Sequence, residues 1–216
     1  MGEAGAVTVE GGTQRLSYQR RAAALSVGGA AFDLTEPRPL KLTVDDLVLL
    51  DRHWHDDDHR STELINGCIY FTPTRYIPRC RIAQEIWIQL REAAALVAPH
   101  LSVCTRGSVE FSPYDLPLPD IVLTNEGRGE GFIPAASVAL VVEVAETALD
   151  FYLNDKLQLY AKGGVPEYWI VDVNAQVIHQ LWTPIGNSYA EERETTFGQY
   201  VPVITTSGLR VDTAVL

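Results

Sequence analysis

Residues 138–145 read VALVVEVA, a run that is apolar at every position but one. A stretch of this length, rich in valine, fits a β-strand buried on both faces rather than on one. The residues after it narrow the fold further. Leu149, Leu153, Leu157 and Tyr160 recur at helical spacing, Gly163-Gly164 stops that helix, and a second apolar strand opens at Glu167 with EYWIVDV. Strand, helix and strand in succession make a crossover unit, so the two strands are expected to run parallel with a right-handed connection. The fold class is accordingly α/β (α+β).

The exception in the run is Glu143. An ionised carboxylate in an apolar interior must meet a cation, a strong donor or water, because leaving it unpaired costs several kcal/mol or more. Alternate strand residues share a face, so Ala139, Val141 and Glu143 point one way, with Glu143 where the strand leaves the core. Asp120 opens another short apolar strand, IVLT. If the two strands are neighbours, both carboxylates meet at one edge of the sheet, and a shared cation relieves their repulsion. Mg²⁺ or Mn²⁺ suits such a site, being content with one or two carboxylates, a carbonyl and waters; the carbonyl of Val144 is a candidate third ligand. Lys156 lies early on the crossover helix, where it can project toward the same sheet end. An ammonium beside such an ion makes phosphodiester hydrolysis chemically sensible. Tyr160, one turn after Lys156, shares its face and reads as a packing residue.

The remaining segments are consistent with a single domain. Thr43 and Asp46 have the spacing of a capping box before a short helix. TELINGCIYF reads as a hairpin turning at Asn66-Gly67. Ile82, Ile86, Leu90, Ala94 and Val97 form one buried stripe on a long helix that Pro99 ends. Residues 1–40, rich in Gly, Ala and Ser, read as a poorly ordered extension, and 41–216 as the folded domain. The cluster from His53 to His59 reads as a solvated loop rather than a zinc site. Three scattered cysteines suggest neither disulfides nor a zinc-thiolate site, so a cytoplasmic setting is expected, and no apolar run is long enough for a membrane span. A net charge of −11 argues against a broad basic surface for nucleic acid. Arg75, Arg79, Arg81 and Arg91 offer the best local strip for a phosphate backbone, and a solvated helix face explains them equally well.

Four stretches resemble a known family: ELINGCIY at 63–70, PDI at 119–121, EVA at 143–145 and DKLQLYAKGGVPEYWIVD at 155–172. They are similar to the Uma-type putative restriction endonuclease family of the PD-(D/E)XK nuclease superfamily, over roughly residues 41–216. The resemblance implies a restriction-endonuclease-like core, a mixed central sheet flanked by helices. It implies Asp120 and Glu143 as metal ligands, Lys156 as the active-site lysine moved onto the helix, and Glu63 near the same site. It also implies a Mg²⁺- or Mn²⁺-dependent endonuclease acting on nucleic acid, with DNA the expected substrate. The pattern departs at three places: Glu146 stands where the family usually has serine, Tyr152 where an aspartate often precedes the lysine, and Arg79 where a histidine commonly opens the long helix.

Besides a metal-dependent hydrolase of a smaller phosphate ester, two functions stay open from the sequence. One is a nuclease that uses a metal-activated water, with a symmetric homodimer the simplest way to cut both strands of a duplex. The other is a non-catalytic binding or assembly module on the same fold, which would bury its carboxylates against Lys or Arg.

Overall fold

The computed structural model describes residues 26–27, 30–31, 39–53, 61–71, 76–127 and 129–216. The expectations for the rest of the N-terminal extension, for the polar stretch 54–60 and for Arg75 lie outside the described residues. By its internal contacts the chain divides into two units, Met1–Pro39 and Leu40–Leu216. In the first, β1 (Ser26–Val27) and β2 (Ala30–Ala31) pair antiparallel.

The second unit opens with α1 (Val44–His53), where the capping box predicts it. The Thr43 backbone N–H and hydroxyl donate to Asp46 Oδ2 at 2.8 and 2.7 Å, and the Asp46 N–H donates back to Thr43 Oγ1 at 3.2 Å. This reciprocal arrangement satisfies donors that a bare helix start leaves unpaired. The hairpin of β3 (Thr62–Ile65) and β4 (Cys68–Phe71) turns at Asn66 and Gly67, whose φ angles are 52° and 77°. Gly67 is required twice over, since a Cβ there would lie 2.6 Å from Lys41 Cβ.

α2 (Ile77–Val97) buries Arg79, Ile82, Ile86, Leu90 and Ala94 along one face. Val97, expected to end that stripe, is exposed, and the C-cap Ala98, four residues after Ala94, is the buried one. The chain continues through β5 (Ser102–Thr105), β6 (Val109–Glu110), β7 (Ile121–Thr124), β8 (Ile133–Pro134) and β9 (Val138–Ala145). The crossover helix has three parts: α3 (Leu149–Phe151), a π-helical turn (Tyr152–Lys156) and α4 (Leu157–Lys162). β10 (Glu167–Asp172), β11 (Val177–Ile185), β12 (Ser188–Thr196), β13 (Tyr200–Pro202) and β14 (Arg210–Asp212) complete the unit.

Six strands form the central sheet in the order β12-β11-β10-β9-β7-β5. β9 and β10 are parallel, as the crossover requires, and the other neighbours are antiparallel, so the sheet is mixed. α2 covers one face, with Ile86 and Leu90 in the same cluster as Leu123, Leu140, Val142, Val144 and Trp169, and Val201 and Val211 of the tail strands join it. The crossover helix covers the other, where Tyr152 and Tyr160 join Val122, Val141, Tyr168 and Ile170. Coverage on both sides is why β9 is apolar without alternation.

The crossover helix is turned relative to its leucine stripe. Leu149, Leu153 and Leu157 pack at the margin of the cluster, while Tyr152, Lys156 and Tyr160 are the buried column. Glu167 is also buried, as a structural clamp: it accepts from Trp169 Nε1 at 2.6 Å and from the Ile204 and Thr205 backbone N–H groups at 3.1 and 2.8 Å. Asp172 closes β10 and holds the turn that follows, accepting from the Asn174 and Ala175 N–H groups. Among the described residues, no helix is long and apolar enough to cross a membrane.

Gly163 ends α4 against an aromatic wall. Its φ of −75° is ordinary, but a Cβ there would lie 2.1 Å from Phe111 Cδ1. Gly163→Ala is therefore expected to destabilise the protein by about 1–3 kcal/mol through overpacking, read as a lowered urea midpoint with unchanged slope.

Candidate active site

The register of the sheet settles how two distant acids meet. Ile121 of β7 pairs with Val142 of β9, so one step further Asp120 comes opposite Glu143. β7 ends at this point, and the Val144 N–H has no strand partner on that side. It donates instead to Asp120 Oδ2 at 2.9 Å. In a strand the N–H and C=O of one residue point to the same side, so the Val144 carbonyl lies on the Asp120 side as well.

A third acid arrives from the hairpin. Glu63 of β3 stands across from Tyr70 of β4, whose ring packs against Phe151 of the crossover helix with centroids 5.0 Å apart. The Leu118 N–H, on the segment leading into β7, donates to Glu63 Oε2 at 3.0 Å. Glu63, Asp120 and Glu143 are all buried.

Two cations face these acids. Lys156 Nζ lies 2.7 Å from Glu143 Oε1 and 2.5 Å from Glu63 Oε2, and the residue is only 1% exposed. A column of side chains four residues apart on the crossover helix places it there, with its ammonium 5.6 Å from the centre of the Tyr152 ring. Arg79 reaches Asp120 Oδ2 from the first turn of α2 at 3.0 Å and contacts the Tyr152 hydroxyl at 3.4 Å. The Tyr160 hydroxyl donates to Glu143 Oε1 at 2.7 Å, so both hydrogen bonds of Glu143 converge on one oxygen.

Burial shapes the acid–base properties of this cluster. It pushes the Glu143 carboxyl up to about 7; Lys156 pulls it back, while the charges of Asp120 and Glu63 add to the rise. Burial also opposes the charge of Lys156, but Glu143 and Glu63 more than offset it and hold the ammonium's pKa above its ordinary value. The Arg79 guanidinium behaves alike, with burial outweighed by Asp120 and Tyr152. The Tyr152 phenol is pushed up to about 12, by burial first and then by Glu143. These tyrosines are neutral hydrogen-bonding groups at physiological pH.

Asp120, Glu143, Lys156 and Glu63 thus gather in one cluster, with the Val144 backbone at its edge. Arg79 does not join an exposed strip: it is 5% exposed and turned into the acids, whereas Arg81 and Arg91 are exposed. Sequence reasoning missed Arg79 as a partner of Asp120, and it read Tyr160 as packing where the hydroxyl also anchors Glu143. The spacing of Tyr152, Lys156 and Tyr160 was the available signal for the inward column. Among the described residues, no three His, Cys, Asp or Glu side chains form a ready-made metal cage. The oxygen donors of Asp120, Glu143 and the Val144 carbonyl nonetheless fit a hard divalent ion, which needs no more than one or two carboxylates from the protein.

The sequence model of the family described as Uma2, putative restriction endonuclease, matches residues 45–214. Among solved structures, the chain is similar to a putative nuclease belonging to DUF820 from Anabaena variabilis. That match has a TM-score of 0.61 at 16% identity and covers 80% of this chain and 96% of the other. It shows a shared fold. No curated protein matches the sequence.

Replacing Lys156 by methionine would leave Glu143 and Glu63 without their shared cation. The Glu143 carboxyl already titrates above its unfolded value, so its ionised form weighs against the folded state as pH rises through about 7. Losing Lys156 moves that titration higher still. Lys156→Met is expected to cost about 3–5 kcal/mol at pH 8 and less at pH 5, where the carboxyls take up protons; urea unfolding at both values measures this.

Proposed function

The chain belongs to the Uma2 family of putative restriction endonucleases, and from that membership we propose that it is a divalent-metal-dependent endonuclease that hydrolyses phosphodiester bonds in DNA. The observation that carries this reading is the meeting of Asp120, Glu143 and Lys156 in one buried cluster at the shared end of β7 and β9. In it, Asp120, Glu143 and the Val144 carbonyl hold Mg²⁺ or Mn²⁺. Such an ion, when bound, offsets phosphate charge and acidifies water. Lys156 supplies a fixed positive charge for the negative charge that grows on the phosphoryl oxygens. Glu63 orients Lys156, and Tyr160 with Lys156 fixes the Glu143 carboxylate through Oε1. Restriction-type chemistry favours DNA as the substrate. The reading assigns the activity to residues 41–216 as one domain, in a cytoplasmic protein, with a symmetric homodimer for double-strand cutting.

One observation favours the second reading, a nuclease-fold binding module. Both Asp120 and Glu143 are buried against cations of the protein itself, Arg79 and Lys156.

Cleavage of supercoiled plasmid and of single-stranded DNA, with Mn²⁺, with Mg²⁺ and with chelator, separates the two. The expected outcome is metal-dependent cutting that drops by about a hundredfold or more in Glu143→Gln. No cutting of either substrate by pure, folded wild type would leave the binding module standing. Equal cutting by both proteins would place the activity elsewhere.

A further inference from the structure

Arg79 has an unusual position. Its side chain is almost wholly buried, it stands on one of the two acids assigned to the metal, and it is poorly held there. A single nitrogen, Nη2, makes the bond to Asp120 at 3.0 Å and the longer contact to Tyr152 at 3.4 Å. The guanidinium does not use the forked, two-bond geometry that makes arginine–carboxylate pairs strong. Its Nε–H, also buried, has no partner among the described residues. A buried donor without an acceptor weakens the case for a purely structural pair, because each such group carries a desolvation penalty that a fully bonded pair would avoid.

The charge count points the same way. Among the described residues, three carboxylates, Glu63, Asp120 and Glu143, face two fixed cations, Lys156 and Arg79. With these five groups ionised, their charges sum to one net negative charge. Lys156 is tied to Glu143 and Glu63 at short range and belongs to both. Arg79 makes its ion pair with Asp120. A divalent ion that arrives with Arg79 in place must share Asp120 with a cation already 3.0 Å away, in surroundings that screen charge poorly. An ion that displaces Arg79 meets two carboxylates and a carbonyl.

We propose that Arg79 is a tethered counter-ion on Asp120 that competes with divalent metal, so that an ion is held by Asp120 and Glu143 only when the guanidinium withdraws. The inference rests on the reading of those two acids as metal ligands. Arg79 is then a positioning residue that sets metal affinity, and the long helix carrying it joins the site through its first turn.

Titration calorimetry with MnCl₂ on the full chain tests this without any nucleic acid. Arg79→Gln removes the charge and keeps a hydrogen-bonding side chain. It is expected to bind Mn²⁺ about tenfold or more tighter than wild type, and adding Glu143→Gln is expected to abolish that binding. Equal or weaker binding by Arg79→Gln, still lost on adding Glu143→Gln, overturns the competition while leaving the metal site intact. No Mn²⁺ binding by any of the folded proteins removes the metal reading and this inference with it. A second measurement needs no substitution at Arg79. In ¹⁵N-labelled wild type titrated with Mg²⁺, the Arg79 Nε–H resonance is expected to move in step with ion binding. A resonance that stays in place as the ion saturates its site overturns the proposal.

Discussion

A lysine ammonium buried between two carboxylates is the interaction on which the rest of this structure turns. Lys156 comes from the crossover helix, Glu143 from the central strand β9 and Glu63 from the hairpin β3–β4. The hairpin is far in sequence from the other two elements, and none of the three could bury its charge alone. An isolated ammonium or carboxylate at this depth would lose its hydration with nothing in return. Each charge is tolerable only because the other two elements arrive at the same place, so the cluster pins helix, sheet and hairpin together at one end of the sheet.

The end of β7 supplies the other half of the site. Where that strand stops, β9 runs on by three residues, and its Val144 N–H must find an acceptor beyond the ladder. The Asp120 carboxylate takes that role and is held opposite Glu143 as a result. Strand length, rather than any local preference of aspartate, thus sets the geometry of the acidic pair. The same arrangement brings the backbone of Val144 close to a potential ligand position at no added cost in exposed polar groups.

The cluster satisfies itself internally to a degree that bears on what it does. Lys156 and Tyr160 both converge on Oε1 of Glu143, and Arg79 stands on Asp120. In the nuclease reading these contacts preorganise the acids, which suits catalysis by fixed charges. In the binding-module reading they are the final state of the site. The difference lies in Arg79, held by one nitrogen, rather than in Lys156, which is gripped from both sides.

The alternation and run lengths of the sequence were enough to determine the crossover unit, the Asn66-Gly67 hairpin, the capped first helix and the parallel pairing of β9 with β10, because each follows from local periodicity or turn chemistry. Glu143 was legible as well, since a lone acid in a strand apolar on both faces has few innocent explanations. The resemblance of residues 155–172 to a nuclease family carried Lys156, and that of residues 63–70 carried Glu63. Other features were not legible. A leucine stripe marked one face of the crossover helix, yet its π-helical turn left the leucines at the margin and turned Tyr152, Lys156 and Tyr160 inward. Arg79 looked like one more surface arginine, because nothing within its own helix tells a buried guanidinium from a solvated one. That choice was made by Asp120, 41 residues away. Local sequence determines how a segment is shaped and which face is apolar; whether a charge is buried depends on an opposite charge delivered by another segment, and only the tertiary structure brings the two together.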